Sequence, residues 1–233
     1  MAADNKGFLY ESKINNLLKK YKIQSSGFEG AGADANAPDA EMVIKGVKYK
    51  VEVKLDLRVD FGQGSLDYDV KNKKWRLGGA NTDSAQQMRD FLNSIKVPKI
   101  VNQAWGSSGA PRKFTVPLSK FTRADVKHDY AKFTDKFVIV NSDAVTNYYA
   151  SKQTYYIQVG KYGLFYMGED IAELGVPEFK PILRLRIRLK RGGSNPIYNY
   201  RFTTALQATS LNRSNIDLEN TKDLTVISAR SKK

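Results

Sequence analysis

Between Val47 and Leu57 apolar and polar residues alternate without a break. Val47, Tyr49, Val51, Val53, Leu55 and Leu57 share one face, and Lys48, Lys50, Glu52, Lys54 and Asp56 share the other. A period of two predicts a strand with one face buried. Ahead of it, Tyr10, Ile14, Leu17, Leu18 and Tyr21 recur at helical spacing and predict an opening helix. Glu11 falls about 20° from Leu18 on that wheel, so it borders the buried stripe rather than facing open water. A loop rich in Gly and Ala, 26–38, separates this helix from the strand pattern.

Residues 60–79 read as further short strands and turns. A second helix is predicted from Ser84 to Ile95, with Asp83 as N-cap and Met88, Phe91, Leu92 and Ile95 turned inward. After Val97-Pro98 the texture changes, and 101–135 read as an insertion or long loops. "KFVIVN" (136–141) predicts a buried strand, "TYYIQVGKYGLFYMG" a hairpin turning near Gly160, and Asp170–Leu174 a short helix. "ILRLRIRLKR" (182–191) is another alternating strand, and the polar tail beyond Leu211 is expected to be mobile at its end. The expected organisation is a core in 1–100, with 101–233 supplying the rest of its sheet and a β-rich elaboration, and no clear linker.

Composition narrows what such a chain can do. Its 233 residues are 41% hydrophobic and 11% aromatic, enough for a packed core. No apolar run is long enough to span a membrane, and Met1–Gly7 lacks the apolar region of a secretory signal. With no cysteine there is no disulfide and no thiolate zinc site, so a reducing cytoplasm is the default location. Lys and Arg number 38 against 24 Asp and Glu, a net charge of +14, which favours a polyanionic partner: nucleic acid before a membrane surface. The single histidine, His128, reads as a solvated side chain in a polar stretch. Chemistry on phosphates would therefore fall to carboxylates and a metal.

The hairpin supplies such carboxylates. If Lys45-Gly46 is a two-residue turn, Ile44 faces Val47 and Asp39 faces Glu52. Opposed residues project to the same face with Cβ atoms about 5 Å apart. Two carboxylates at that spacing repel unless a cation lies between them, and all-oxygen ligands suit Mg²⁺. Lys54 is on the same face, about 7 Å further along the strand, where an ammonium can hold a water or a phosphate oxygen. The plainer alternative is an ordinary solvated strand face, since Glu-x-Lys occurs by chance in any charged protein. "FEGAGADA" is no phosphate-binding loop, because it lacks the Lys-Ser/Thr ending and a preceding strand.

Pro38-Asp39 followed by Glu52-Val53-Lys54 resembles the PD-(D/E)XK pattern of the restriction-endonuclease-like nuclease superfamily. "KGFLYESKINNLL", with Gly7, Tyr10 and Glu11, is similar to the first helix of archaeal Holliday-junction resolvases. The resemblance covers about the first hundred residues. It implies an α/β fold with a mixed central sheet flanked by helices, and a metal-dependent endodeoxyribonuclease that leaves 5′-phosphate and 3′-hydroxyl ends. It also implies that Asp39, Glu52, the Val53 carbonyl and Glu11 hold Mg²⁺, with Mn²⁺ as a substitute, while Lys54 aids the attacking water. Some members add a glutamine. Gln87 and Gln63, the latter in a Gly-flanked loop where it also reads as a nucleic-acid contact, are candidates, and Gln86 fits helix capping better.

The second half offers binding rather than chemistry. Arg184, Arg186, Arg188 and Lys190, with Arg191 beyond them, form a row of cations opposite Leu183, Leu185, Ile187 and Leu189. The row reads either as a charge-protected edge strand or as a strand that follows a phosphate backbone. Tyr148, Tyr149, Tyr155, Tyr156, Tyr198 and Tyr200 read as base-stacking candidates or core. The expected partner is double-stranded DNA. The expected activity is sequence-specific cleavage of restriction type, or else cleavage of branched DNA, with a homodimer supplying two active sites for two cuts. A non-catalytic nucleic-acid-binding or phage packaging protein is the remaining reading.

Overall fold

The computed structural model describes residues 6–28, 30, 37–141, 143–191 and 199–231. Most of the small-residue loop and Tyr198 lie outside the described residues. In chain order the helices are α1 (Lys6–Lys20), α2 (Asp83–Ser94), α3 (Val97–Trp105), α4 (Arg112–Thr115), α5 (Arg123–Lys132), α6 (Asp143–Ser151) and α7 (Thr221–Ser231). The strands are β1 (Ala40–Ile44), β2 (Val47–Lys54), β3 (Gly62–Asp69), β4 (Lys74–Gly78), β5 (Lys136–Val140), β6 (Thr154–Val159), β7 (Gly163–Tyr166), β8 (Ile182–Arg191) and β9 (Tyr200–Ser210). The chain is α/β, with two compact units that interleave: 1–59, 141–182 and 208–233 form one, and 60–140 with 183–207 form the other. Residues 60–100, grouped with the core in the sequence reading, fall in the second unit.

The first unit is built on a four-stranded mixed sheet in the order β1-β2-β6-β7. β1 and β2 pair antiparallel in the expected register, Ala40 opposite Val51 and Ile44 opposite Val47. Lys45 and Gly46 both take positive φ, 50° and 77°, which gives the turn a twist that suits the two strands. β2 and β6 run parallel, so the chain needs a long connection between them, and α6 is its last element. Tyr10, Ile14 and Leu18 of α1 pack with Met42, Val51, Val53, Tyr156, Leu224 and Ile227 in one core. At the end of β2 the Gly160 N–H donates to the Lys54 carbonyl at 2.8 Å. A Cβ at Gly160 would come within 2.2 Å of the Leu55 carbonyl oxygen, so only glycine allows this approach.

The second unit holds a five-stranded sheet, β4-β3-β9-β8-β5. Trp75 lies at its aromatic centre, with ring centroids of Trp105 at 5.1 Å, Phe202 at 4.9 Å and Phe133 at 5.6 Å. Against the expectation of long loops, 101–135 hold most of α3 together with α4 and α5. Pro98 sits in the first turn of α3, where a missing N–H costs nothing, so it begins a helix instead of ending one. Val97, Val101 and Trp105, spaced by four, are the buried face of α3. Asp129 is no surface acid: it is buried, and it accepts from the Arg112 and Lys113 N–H groups and from the Tyr200 hydroxyl. His128, expected to be solvated, is half-buried, with Nδ1 3.2 Å from Asp129.

Four local expectations also change. α2 runs Asp83–Ser94 and its N-cap is Thr82, whose side chain accepts from Ala85 N. β5 is an exposed edge strand, with Phe137 at 51% and Ile139 at 67% exposure, because among the described residues only β8 pairs with it. Asp170–Leu174 forms a turn rather than a helix, tied by the Asp170 carboxylate to the Tyr156 hydroxyl and the Leu174 and Gly175 N–H groups. The polar tail is built into the fold. Leu218 N–H donates to buried Gln158, Leu164 N–H donates to the Ile216 carbonyl, and Leu224 and Ile227 of α7 enter the core.

Candidate active site

Asp39 precedes β1 and lies opposite Glu52 when the hairpin register is continued one step past Ala40 and Val51. Its side chain closes the end of the ladder: Oδ2 accepts from the Val53 N–H at 2.9 Å. One step further, Pro38 faces Val53. Proline has no N–H, so it donates nothing to the Val53 carbonyl, which points to the same strand edge as the Val53 N–H. An aspartate after a proline therefore ends the pairing and brings a carboxylate beside a backbone carbonyl that lacks its ladder donor.

The Lys54 side chain bends back along the strand. Its Nζ contacts Glu52 Oε1 and lies 4.0 Å from Asp39 Oδ2. The three side chains are only 15–17% exposed. Glu11, half-buried on α1, belongs to the same electrostatic cluster. Its burial is the largest effect and raises its pKa, Lys54 draws it down, and Glu52 pushes it up again. For Lys54, burial acts to lower the pKa, but Glu52, Asp39 and Glu11 outweigh it and hold the ammonium above its usual range.

Burial first, and Glu52 second, push the Asp39 carboxyl up to about 7. The folded chain thus keeps a proton that the unfolded chain, near 3.8, has released. Stability from this group is full below pH 3.8 and is lost as pH rises through about 7. Urea unfolding in EDTA should therefore give a lower midpoint at pH 8 than at pH 5, and Asp39→Asn should flatten that difference. A wild-type midpoint that rises across this range would contradict the coupling.

Two residues outside the motif complete the arrangement. Asn15, buried on α1, donates through Nδ2 to the Asp39 carbonyl at 2.8 Å and to the Glu11 carbonyl at 3.1 Å, tying the helix to the start of β1. Gln24 Nε2 in turn donates to Asn15 Oδ1 at 2.6 Å. On the helical wheel Asn15 falls about 60° beyond Leu18, outside the apolar stripe, so the sequence did not single it out. Tyr149, buried on α6, donates to Glu52 Oε1 at 2.8 Å. Nothing in the sequence separated it from Tyr148 or the other tyrosines.

The remaining candidates lie elsewhere. Gln63, Gln86 and Gln87 belong to the second unit. Gln63 is exposed on β3, a strand and not a loop, and Gln86 bonds Asp90 and Arg89 along α2 rather than capping it. β8 is not an edge strand, since β9 and β5 flank it. Its cations are largely engaged: Arg184 with Gln207, Arg186 with both donors on Asp135, and Arg188 with Asp60 at 3.7 Å. Lys190 and Arg191 are the exposed members of the row.

Among the described residues no three Asp, Glu, His or Cys side chains come together as a ready metal cage. The donor set still fits a hard cation that keeps most of its waters, because Mg²⁺ is commonly bound through one or two carboxylates. Lys54 meanwhile supplies the positive charge between the two acids. No helix among the described residues is long and apolar enough to cross a membrane. No family model, curated protein or solved structure matches the chain.

Proposed function

We propose that the chain is a metal-dependent endonuclease of the restriction-endonuclease-like type, hydrolysing phosphodiester bonds in DNA at the Asp39–Glu52–Lys54 cluster. The observation that carries this reading is the convergence of two carboxylates and an ammonium on one half-buried patch at the open end of a hairpin. The order α1, hairpin, then a helix leading to a strand parallel with β2, gives the mixed sheet expected of such a core.

Asp39 and Glu52, with the Val53 carbonyl, would hold Mg²⁺ or Mn²⁺, and Glu11 would act on the cation from α1 through its charge or through a bound water. The cation's part is to neutralise phosphate charge and to acidify a water. Lys54 is an ammonium at neutral pH, so it can donate to a phosphate oxygen or orient the water but cannot take the water's proton. Hydrolysis joins the water oxygen to phosphorus and releases the 3′-oxygen, which leaves as a hydroxyl. Incubation with supercoiled, linear and branched DNA, in Mg²⁺ or EDTA, tests the reading. Discrete fragments from linear DNA indicate restriction-type specificity, cutting of branched DNA alone indicates a resolvase-like enzyme, and no cutting contradicts nuclease function.

Binding is assigned to the basic strand of the second unit, through Lys190 and Arg191 first. Arg184, Arg186 and Arg188 can reach phosphate only by exchanging their present partners. Each phosphate that the protein no longer neutralises flattens the dependence of log affinity on log salt by about 0.9. Lys190→Gln with Arg191→Gln should therefore reduce the slope by about two and weaken all sequences alike. An unchanged slope would remove this strand from the DNA interface.

One observation favours a second reading. Lys54 already neutralises Asp39 and Glu52 from within the chain, as it would in a purely structural ion network of a non-catalytic nucleic-acid-binding protein.

A further inference from the structure

The donors around the two acids are distributed unevenly. On Glu52, the Tyr149 hydroxyl and the Lys54 ammonium both meet Oε1. On Asp39, the Val53 N–H meets Oδ2, and Lys54 approaches the same oxygen. Among the described residues no donor meets Glu52 Oε2 or Asp39 Oδ1. One oxygen of each carboxylate is thus held by the protein and the other is left over.

Tyr149 differs from the other donors in two ways. It comes from α6, an element separated from the hairpin by the whole of 60–140, so neither strand register nor local turn chemistry accounts for it. It is also buried, with its ring packed edge-on against Tyr148 at 5.3 Å between centroids, so its hydroxyl has little freedom to point elsewhere. A buried phenol that aims its O–H at a half-buried glutamate holds that carboxylate in one rotamer. Lys54 cannot do this alone, since its flexible stem can follow either acid.

We propose that Tyr149 is the positioning residue of this site, fixing Glu52 through Oε1 so that Oε2 is presented to a divalent cation. The inference rests on the nuclease reading above, because it needs Glu52 to be a cation ligand. Groups that hold a ligand from behind typically contribute about 10- to 100-fold in metal affinity. Tyr149→Phe removes the hydroxyl while keeping the ring in its packing, and Tyr148→Phe is the matched control.

The test measures Mn²⁺ binding to the full chain by calorimetry for wild type, Tyr149→Phe, Tyr148→Phe and Glu52→Gln, with thermal unfolding of each in EDTA. Mn²⁺ binding weakened about 10- to 100-fold in Tyr149→Phe, unchanged in Tyr148→Phe and lost in Glu52→Gln, is the expected pattern. Wild-type affinity in Tyr149→Phe with loss in Glu52→Gln would overturn the positioning role and leave the nuclease reading standing. Wild-type affinity in Glu52→Gln, or no Mn²⁺ binding at all, would overturn that reading and this inference with it. A drop of more than about 10 °C in the EDTA midpoint of Tyr149→Phe would also overturn the role. The hydroxyl would then be holding the fold rather than the carboxylate.

Discussion

Glu52→Gln and Asp39→Asn should each abolish DNA cleavage while leaving DNA binding intact or tighter. Both side chains meet Lys54 on one half-buried patch of a chain with a net charge of +14. Each change removes one negative charge that repels phosphate and one ligand for the cation. Loss of cleavage by at least about 10³-fold corresponds to about 4 kcal/mol of transition-state stabilisation. The amides keep the shape of the side chains, and the amide oxygen introduced by Glu52→Gln could still accept from Tyr149. Binding by gel shift and cleavage of the same labelled duplex separate the two effects. Cleavage at near wild-type rate in either purified variant would remove these residues from catalysis.

Lys54→Ala should be nearly as damaging, and it should act on stability as well as on rate. From sequence the lysine reads as an exposed strand residue whose loss matters little to folding. In the structure it is half-buried and it is the cation between two acids. Removing one partner of a buried charge cluster typically costs about 3–5 kcal/mol. The cost should be smaller at pH 5 than at pH 8, because a proton on Asp39, whose carboxyl titrates at about 7, relieves the repulsion left behind. Cleavage should fall by about 10²- to 10⁴-fold, the usual range for a group that positions or protonates at the reacting atoms. Added Mg²⁺ should recover stability in Lys54→Ala but not the rate. A variant as stable as wild type at pH 8 in EDTA would contradict the ion network. One that cuts at wild-type rate would reduce Glu52-Val53-Lys54 to a chance match.

Where local pattern decides the structure, the sequence was readable. α1, the β1–β2 register, the β6–β7 hairpin and the alternation of β8 all follow from apolar spacing and a positive-φ turn at Lys45-Gly46. That register alone sets Asp39 against Glu52. Features decided by tertiary partners were hidden. The stretch after Pro98 reads as loops, although a proline suits the first turn of a helix. The tail reads only as polar until buried Gln158 supplies its partner. β8 looks like an edge because its neighbours cannot be known from its own residues. Within the site, the charged residues announced themselves through type and spacing. Asn15 and Tyr149 are ordinary residues whose role appears only once α1 and α6 are in place.

The most direct measurement is a single time course. Homogeneous wild type and Asp39→Asn, purified in parallel, are incubated with end-labelled duplex and branched DNA in Mg²⁺, and again in EDTA. Wild type should give 5′-phosphate and 3′-hydroxyl products in Mg²⁺ only, and Asp39→Asn should give none. Cleavage that persists in EDTA, that is equal in both proteins, or that is absent from wild type on every substrate would contradict the assignment of this site.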